Sequence, residues 1–234
     1  MSSLIAHGDL AFHDPLAPER VDEMLVAAGL GPSDRLLDVG CGPGELLVRA
    51  AECCGCGGLG LDLSPEVIAA ARARAAARAP AVDLAFEARD TRADPPAGQY
   101  DLVACLGAIH ALAGGFDELC ALARPGGWVL LADGFWRRPP SQAYLDALGA
   151  TADDLPDYAG LVGRADASFV SVTSDDEWDR YEWTLIHNQL QWVAEHPEDP
   201  AAEAVAERAR AARARYTGEG GRDTLGFALV LYRV

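Results

Sequence analysis

The sequence predicts an α/β fold in which a parallel sheet is covered by helices on both faces. Short apolar runs of strand length alternate with helical segments that carry one apolar stripe. The first run, Leu36 to Val39, ends in a glycine-dense turn, Gly40-Cys41-Gly42-Pro43-Gly44, that opens a helix. Acids stand at or just after the ends of successive runs, at Asp38, Asp62 and Asp90.

Taken in order, Val21, Met24, Leu25 and Ala28 lie at helical spacing, with Pro18 in the first turn and Gly29 as the stop. After the glycine turn and its helix, the second strand ends Gly60-Leu61-Asp62-Leu63. Ser64 is the N-cap and Pro65 the first residue of a helix over 65–78, with Val67, Ile68, Ala71 and Ala75 as its stripe and Arg72, Arg74 and Arg78 facing water. Strands are expected at 83–87, 102–106 and 128–132, the last reached through the turn Pro125-Gly126-Gly127. A sixth strand is expected at 167–173. Ser174-Asp175-Asp176-Glu177 then forms a capping box that opens a helix reaching about residue 195. That helix carries two stripes, Trp178, Tyr181, Leu185 and Trp192, and Trp183, Ile186, Leu190 and Val193, so burial on two sides is expected. The final strand is expected at 225–232.

The strand, glycine turn and helix make a site for an adenosine-bearing cofactor, because glycine permits positive φ and a close approach to the helix N-terminus. A dinucleotide fingerprint requires a third glycine three places after the second. Glu45 stands there, and a carboxylate in the first helical turn repels a pyrophosphate. A phosphate-free cofactor with a cationic reactive end meets no such objection.

The pattern Asp38, Gly40, Gly42, Gly44 resembles the glycine-rich first motif of class I S-adenosylmethionine-dependent methyltransferases. The similarity is close from about Val21 to Asp133 and looser over the terminal 224–234. Phe135-Trp136 followed by Pro139-Pro140, Trp178-Asp179 with Tyr181-Glu182, and Gly220-Gly221-Arg222-Asp223 with Leu225-Gly226-Phe227 are similar to a bacterial branch of small-molecule methyltransferases. The resemblance implies a Rossmann-like, seven-stranded, mostly parallel sheet with an antiparallel last strand. It implies S-adenosyl-L-methionine as cofactor, held by Asp38 at the methionine ammonium, by the glycine turn with Cys41, by Asp62 at the ribose, by Leu63 on the adenine face, and by Asp90 with the Thr91 backbone at the adenine edge. Cys105, in the fourth strand, is carried over as a further cofactor contact.

The reaction so implied is methyl transfer to a small-molecule oxygen, nitrogen or sulfur nucleophile by in-line displacement, with positioning supplying much of the acceleration. His110, directly after the fourth strand, is the candidate acceptor-site residue and base, and His187 a second candidate. Trp136, Tyr181 and Trp183 are candidate walls of the acceptor pocket, alternatively core. His13 with Phe12 is a candidate for a segment folding over the cofactor. A nucleotide-dependent oxidoreductase of like topology and a noncatalytic cofactor-binding module are the competing classes.

A chain of 234 residues suits one well-buried domain. The expected organisation is a single domain over 1–234, with 1–30 as a helical cover and 134–200 as substrate-side insertion and lid. The net charge of −17 argues against binding nucleic acid or anionic lipid, which relies on cationic side chains. No long apolar run marks a membrane span, and the first residues lack a basic region followed by an apolar one, so a cytoplasmic protein is expected. Cys53-Cys54-Gly55-Cys56 holds a Cys-x-x-Cys spacing but lies at the amino ends of the strands, away from where parallel sheets bind ligands, and no second ligand pair follows, so no metal is expected.

Overall fold

The computed structural model describes residues 2–8 and 10–234. The elements run α1 (Ser2–His7), α2 (Pro18–Ala28), β1 (Arg35–Val39), α3 (Glu45–Cys54), β2 (Gly57–Asp62), α4 (Pro65–Arg78), β3 (Leu84–Ala88), β4 (Tyr100–Leu106), α5 (Gly115–Leu122), β5 (Ala123–Trp136), α6 (Gln142–Leu148), α7 (Tyr158–Val162), β6 (Asp166–Val172), α8 (Asp175–Glu195), α9 (Ala202–Thr217), α10 (Gly221–Thr224) and β7 (Leu225–Arg233). One seven-stranded sheet has the order β3-β2-β1-β4-β5-β7-β6. Every neighbouring pair is parallel except the two made by β7, which runs antiparallel to both β5 and β6.

Two cores follow from the pleat, since successive strand residues point to opposite faces. Leu36, Leu102, Ala104, Leu130 and Ala132 face α2, α3 and α4, where Met24, Leu25, Leu47 and Ile68 meet them. Leu37, Val39, Val103, Cys105, Val129 and Leu131 face the other way, onto Leu119 and Leu122 of α5 and Leu161 of α7. Burial on both faces is why these strands read as continuous apolar runs.

Both expected crossover boundaries hold. Gly29 closes α2 at φ 65°, and the Ser64 side chain accepts the Val67 N–H at the start of α4. The arginines of α4 do more than face water. Arg72 donates to the Phe86 carbonyl, Arg74 to the Pro43 carbonyl, and Arg78 pairs with Glu45 and Glu52. β5 is longer than the apolar pattern suggests because β7 pairs with it from Trp128 to Trp136. At its start, Pro125-Gly126-Gly127 forms an irregularity in the pairing with β4 instead of a free turn, with Gly126 at φ 71°.

The capping box opens α8 as expected. Its burial is uneven. Trp178 and Ile186 are buried, whereas Trp183 and Leu190 stay 43% and 48% exposed. α8 packs between α1 and α9, but α9 is rich in alanine and arginine, and it covers Trp183 with the Arg213 guanidinium, 6.0 Å from the ring centre, in place of an apolar side chain. Among the described residues, no helix is long and apolar enough to cross a membrane.

Candidate active site

The strand order reverses between β1 and β4, so their carboxyl ends diverge and leave a crevice. The glycine turn enters it from β1. Gly40, Gly42 and Gly44 all have positive φ, 72°, 52° and 78°, but their surroundings differ. A Cβ on Gly40 would lie 2.3 Å from the Ala108 Cβ, and one on Gly44 would lie 2.7 Å from Phe86 and 2.9 Å from Ala71. Around Gly42 no atom lies within 4 Å of the added carbon. Gly40 and Gly44 are therefore demanded by packing, and Gly42 alone opens the crevice to a ligand.

Asp62 at the end of β2 locks this turn. Its Oδ2 accepts the Gly42 N–H at 3.1 Å and its Oδ1 the Ser64 N–H at 2.9 Å. Asp38 is buried within β1, 2% exposed, and its Oδ1 has no hydrogen-bond partner among the described residues. Burial, with Asp62 and Asp14 nearby, pushes the Asp38 carboxyl up to about 8. Cys41 lines the same hollow, with its sulfur against Gly60 and its thiol turned to the Gly42 carbonyl.

Glu45, where a dinucleotide site needs glycine, is 3% exposed and surrounded by Arg49, Arg74 and Arg78 at 2.8, 3.4 and 2.7 Å. Arg49 reaches on to Asp22, so the cluster ties α2, α3 and α4 together. The carboxylate is thus neutralised by its arginines, and the departure from a dinucleotide site is the missing glycine at this position.

Three cavities lie in line. A cavity of about 230 Å³ is walled by Leu63, Asp90, Thr91, His110 and Ala111. It shares Gly40, Asp62 and Ala108 with a central hollow of about 160 Å³, walled also by Asp38, Gly42, Glu45, Gly107 and, from above, Phe12, His13 and Asp14. The central hollow in turn shares Ala11, Phe12 and Asp14 with an outer cavity of about 310 Å³ lined by Leu10, Leu16, Arg180 and Tyr181.

The roof is formed by residues 10–17, ahead of α2. Tyr181 of α8 donates its hydroxyl proton to the His13 carbonyl at 2.7 Å, so His7, whose Nε2 lies 3.1 Å from the Tyr181 hydroxyl oxygen, is the donor in that second contact. The two imidazoles stack at 4.1 Å. Asn188 holds the Ala6 carbonyl and Thr173 the Pro15 carbonyl, each by a side-chain hydrogen bond. Burial, and then His7 and Arg74, lower His13 to about 4, which keeps it neutral near pH 7. Asp14 points down from this roof onto the carboxyl end of β4. A Cβ on Gly107 would fall 2.0 Å from its Oδ1. Burial, with Asp133 close by, raises the Asp14 carboxyl to about 7. Asp133, within β5, is also raised by burial.

Several expected site residues sit elsewhere. His110 is exposed on a 3₁₀ turn, and its cavity is the one with Leu63, Asp90 and Thr91, apart from Trp136 and α8. The chain after β4 turns at once toward β3, where Arg92 binds the His110 carbonyl and Thr91 the Ala111 carbonyl. Trp136 is core, stacked edge-on against Tyr144 with its indole N–H on the Ala152 carbonyl. Trp183 and His187 point outward from α8. Cys105 is fully buried on the α5 side of the sheet and lines none of the three cavities, because alternation along β4 turns it away from the glycine turn. Of the acceptor-pocket candidates Trp136, Tyr181 and Trp183, only Tyr181 lines one of the three cavities.

Leu63 is 72% exposed, and Asp90 is exposed while capping the turn after β3. Asp14 and Asp133 were not singled out from the sequence. The one signal was proximity to His13 and the end of the fifth strand. Cys53 and Cys54 approach within 2.8 Å, Cys56 is buried, and no group of three or more metal-binding side chains occurs among the described residues.

A family model described as a methyltransferase domain matches residues 36–127. The uncharacterised protein YjhP of Escherichia coli K12 is 30% identical over 223 residues, 91% of this chain and 90% of that protein. A methyltransferase from Geobacter sulfurreducens, solved in complex with S-adenosyl-L-homocysteine, superposes with a TM-score of 0.89 at 28% identity, covering 98% of this chain and 96% of that one. One from Thiobacillus denitrificans, also solved with S-adenosyl-L-homocysteine, gives 0.87 at 29% identity, covering 97% and 96%. The seven-stranded sheet, the glycine turn at its switch point and these likenesses agree, and the chain belongs to the class I S-adenosylmethionine-dependent methyltransferases.

Proposed function

We propose that the enzyme transfers the methyl group of S-adenosylmethionine to a small-molecule acceptor within the three-cavity slot. The observation that carries this reading is the unpartnered, buried Asp38 Oδ1 beside the open face of Gly42. A buried acceptor of that kind matches a ligand that brings a cation, and an amino-acid ammonium is one. Asp62, pinned by two backbone N–H groups, keeps lone pairs for the two ribose hydroxyls. Leu63 offers an exposed apolar face to the adenine, and Asp90 with the Thr91 backbone its edge. When bound, the cofactor supplies a methyl carbon on a sulfonium, whose C–S pair leaves with a neutral sulfide as the acceptor's lone pair forms the new bond. The protein's part is to align the two ends and keep water out, which the roof over 10–17 and the segments after β5 support.

A small acceptor fits the size of the outer cavity, about 310 Å³. The net charge of −17 supports the same reading over nucleic acid or membrane. In a thermal melt, S-adenosylmethionine at ~100 times its dissociation constant is expected to add ~2.7 kcal/mol, a rise of roughly 5 to 10 °C for a domain of this size. Asp62→Ala is expected to remove most of that rise. A melt indifferent to both S-adenosylmethionine and S-adenosylhomocysteine overturns the reading, and a parental response in Asp62→Ala overturns the ribose assignment.

A further inference from the structure

The central hollow and the outer cavity share one charged wall, Asp14. Its carboxylate stands over Gly107, at the carboxyl end of β4. Among the described residues it takes part in no ion pair and no side-chain hydrogen bond, although Arg20, Arg74 and Arg180 all lie on neighbouring segments. Arg20 is committed to Glu177 and Ser171, and Arg74 to Pro43 and Glu45. Arg180 is exposed at the mouth of the outer cavity. The hollow on the inner side adds Asp38, Asp62 and the arginine-bound Glu45, and no lysine or arginine is in its wall. A site walled this way attracts a cation and repels an anion. The outer cavity beyond Asp14 has an apolar floor of Leu10, Phe12, Leu16 and the Tyr181 ring, with Glu19, Arg180 and the Arg20-bound Glu177 also in its wall.

We propose that Asp14 is the acceptor-binding base of this enzyme: it holds the ammonium group of a small primary or secondary amine whose apolar body occupies the outer cavity, and it removes the proton that frees the nitrogen lone pair. The inference rests on the methyl-transfer reading above and adds the acceptor's chemical class. In the step, one N–H bond of the ammonium breaks and an O–H bond forms on the Asp14 carboxylate, which leaves a neutral amine at the end of β4. The lone pair then makes the N–C bond as the C–S bond opens, and the positive charge passes from sulfur to nitrogen. The methylated ammonium leaves, and Asp14 returns its proton to water. The carboxyl, raised to about 7 by its surroundings, accepts a proton more readily than an exposed aspartate does. Tyr181 and Thr173 anchor the roof on either side of Asp14, at the His13 and Pro15 carbonyls, and so hold the carboxylate at a fixed height over Gly107.

The test uses the intact protein saturated with S-adenosylhomocysteine and a panel of simple amines from butylamine to phenethylamine, each paired with its isosteric alcohol and carboxylic acid. Members of the amine series are expected to raise the melting temperature further, and the matching alcohols and acids are not. In Asp14→Asn, with Asp14→Ala as a second neutral variant, amine affinity is expected to fall at least about tenfold, the loss of a charge-assisted hydrogen bond, while the response to S-adenosylhomocysteine alone persists. That persistence also shows that each variant is folded. The proposal is overturned if no amine stabilises the loaded protein, if acids or alcohols serve equally, or if the amine response survives both variants. It is overturned as well if Asp14→Asn loses the S-adenosylhomocysteine response, since Asp14 then holds the cofactor. A wild-type protein that ignores S-adenosylhomocysteine strikes the methyl-transfer reading itself and is thereby distinguished.

Discussion

Replacing Asp38 by asparagine is expected to make the ligand-free protein more stable while removing its response to the cofactor. The folded-state carboxyl is raised from 3.8 to about 8. Between those values the folded chain binds more protons than the unfolded one, so stability falls as pH rises through that window. Each unit of difference corresponds to about 1.4 kcal/mol. Because Asp38 shares its surroundings with Asp14 and Asp62, only part of that total belongs to one residue, and a gain of ~2 kcal/mol near pH 7.5 is the expected size, or roughly 4 to 8 °C. The gap between variant and parent should widen from pH 5 to pH 8. Loss of a charge-assisted bond to the cofactor's ammonium weakens binding of S-adenosylhomocysteine on the order of tenfold to a hundredfold. Melts with and without the ligand at both pH values check this. An Asp38→Asn protein less stable than its parent at both pH values would show that the carboxylate is satisfied in the fold, and the site has been misjudged.

The second large effect is expected at Gly44. The residue caps α3 at φ 78°, and a methyl group there meets Phe86 of β3 at 2.7 Å and Ala71 of α4 at 2.9 Å, both buried. Left-handed backbone costs an alanine roughly 1 kcal/mol, and overpacking a filled core costs roughly 1 to 3 more. Gly44→Ala should therefore lose about 3 kcal/mol, a drop of roughly 6 to 12 °C. Gly42→Ala makes the contrast. With open space around it, the added carbon pays the backbone strain alone, so the fold loses roughly 1 kcal/mol, but the methyl stands where the ligand approaches. Gly42→Ala is thus expected to lose cofactor affinity and Gly44→Ala stability. Thermal melts and ligand titrations of the two variants separate these effects, and a Gly44→Ala protein that melts like its parent contradicts the packing role.

Local chemistry made much of this fold legible. Pro18 and Gly29 bound one helix, Ser64 and Pro65 open another, and the Ser174–Glu177 box opens a third, because caps act within three or four residues. The glycine turn and Asp62 were equally readable, since each stands where a strand hands over to a helix, the turn after β1 and Asp62 at the end of β2. What eluded the sequence depends on long-range geometry. Asp14 reaches the slot because Tyr181, 168 positions beyond His13, and Thr173 fasten the roof over β4. His110 has the right place in the chain but follows a turn that leads to β3 and the adenine-side cavity. The stripe through Trp183 and Leu190 assumed an apolar neighbour on both sides of α8, and α9 brings arginine instead. α9 itself gave no clear signal, as alanines at 202, 206 and 209 supply most of its buried face.

The central claim, a methyl donor lying along the slot from Leu63 to Asp14, is tested most directly by a crystal structure of the protein with S-adenosylhomocysteine. The expected result has the amino-acid ammonium on Asp38, the ribose hydroxyls on Asp62, the adenine between Leu63 and Thr91, and the sulfur facing the hollow shared with Asp14. A ligand bound in the opposite direction, with its sulfur toward His110, or bound outside the three cavities, would contradict it.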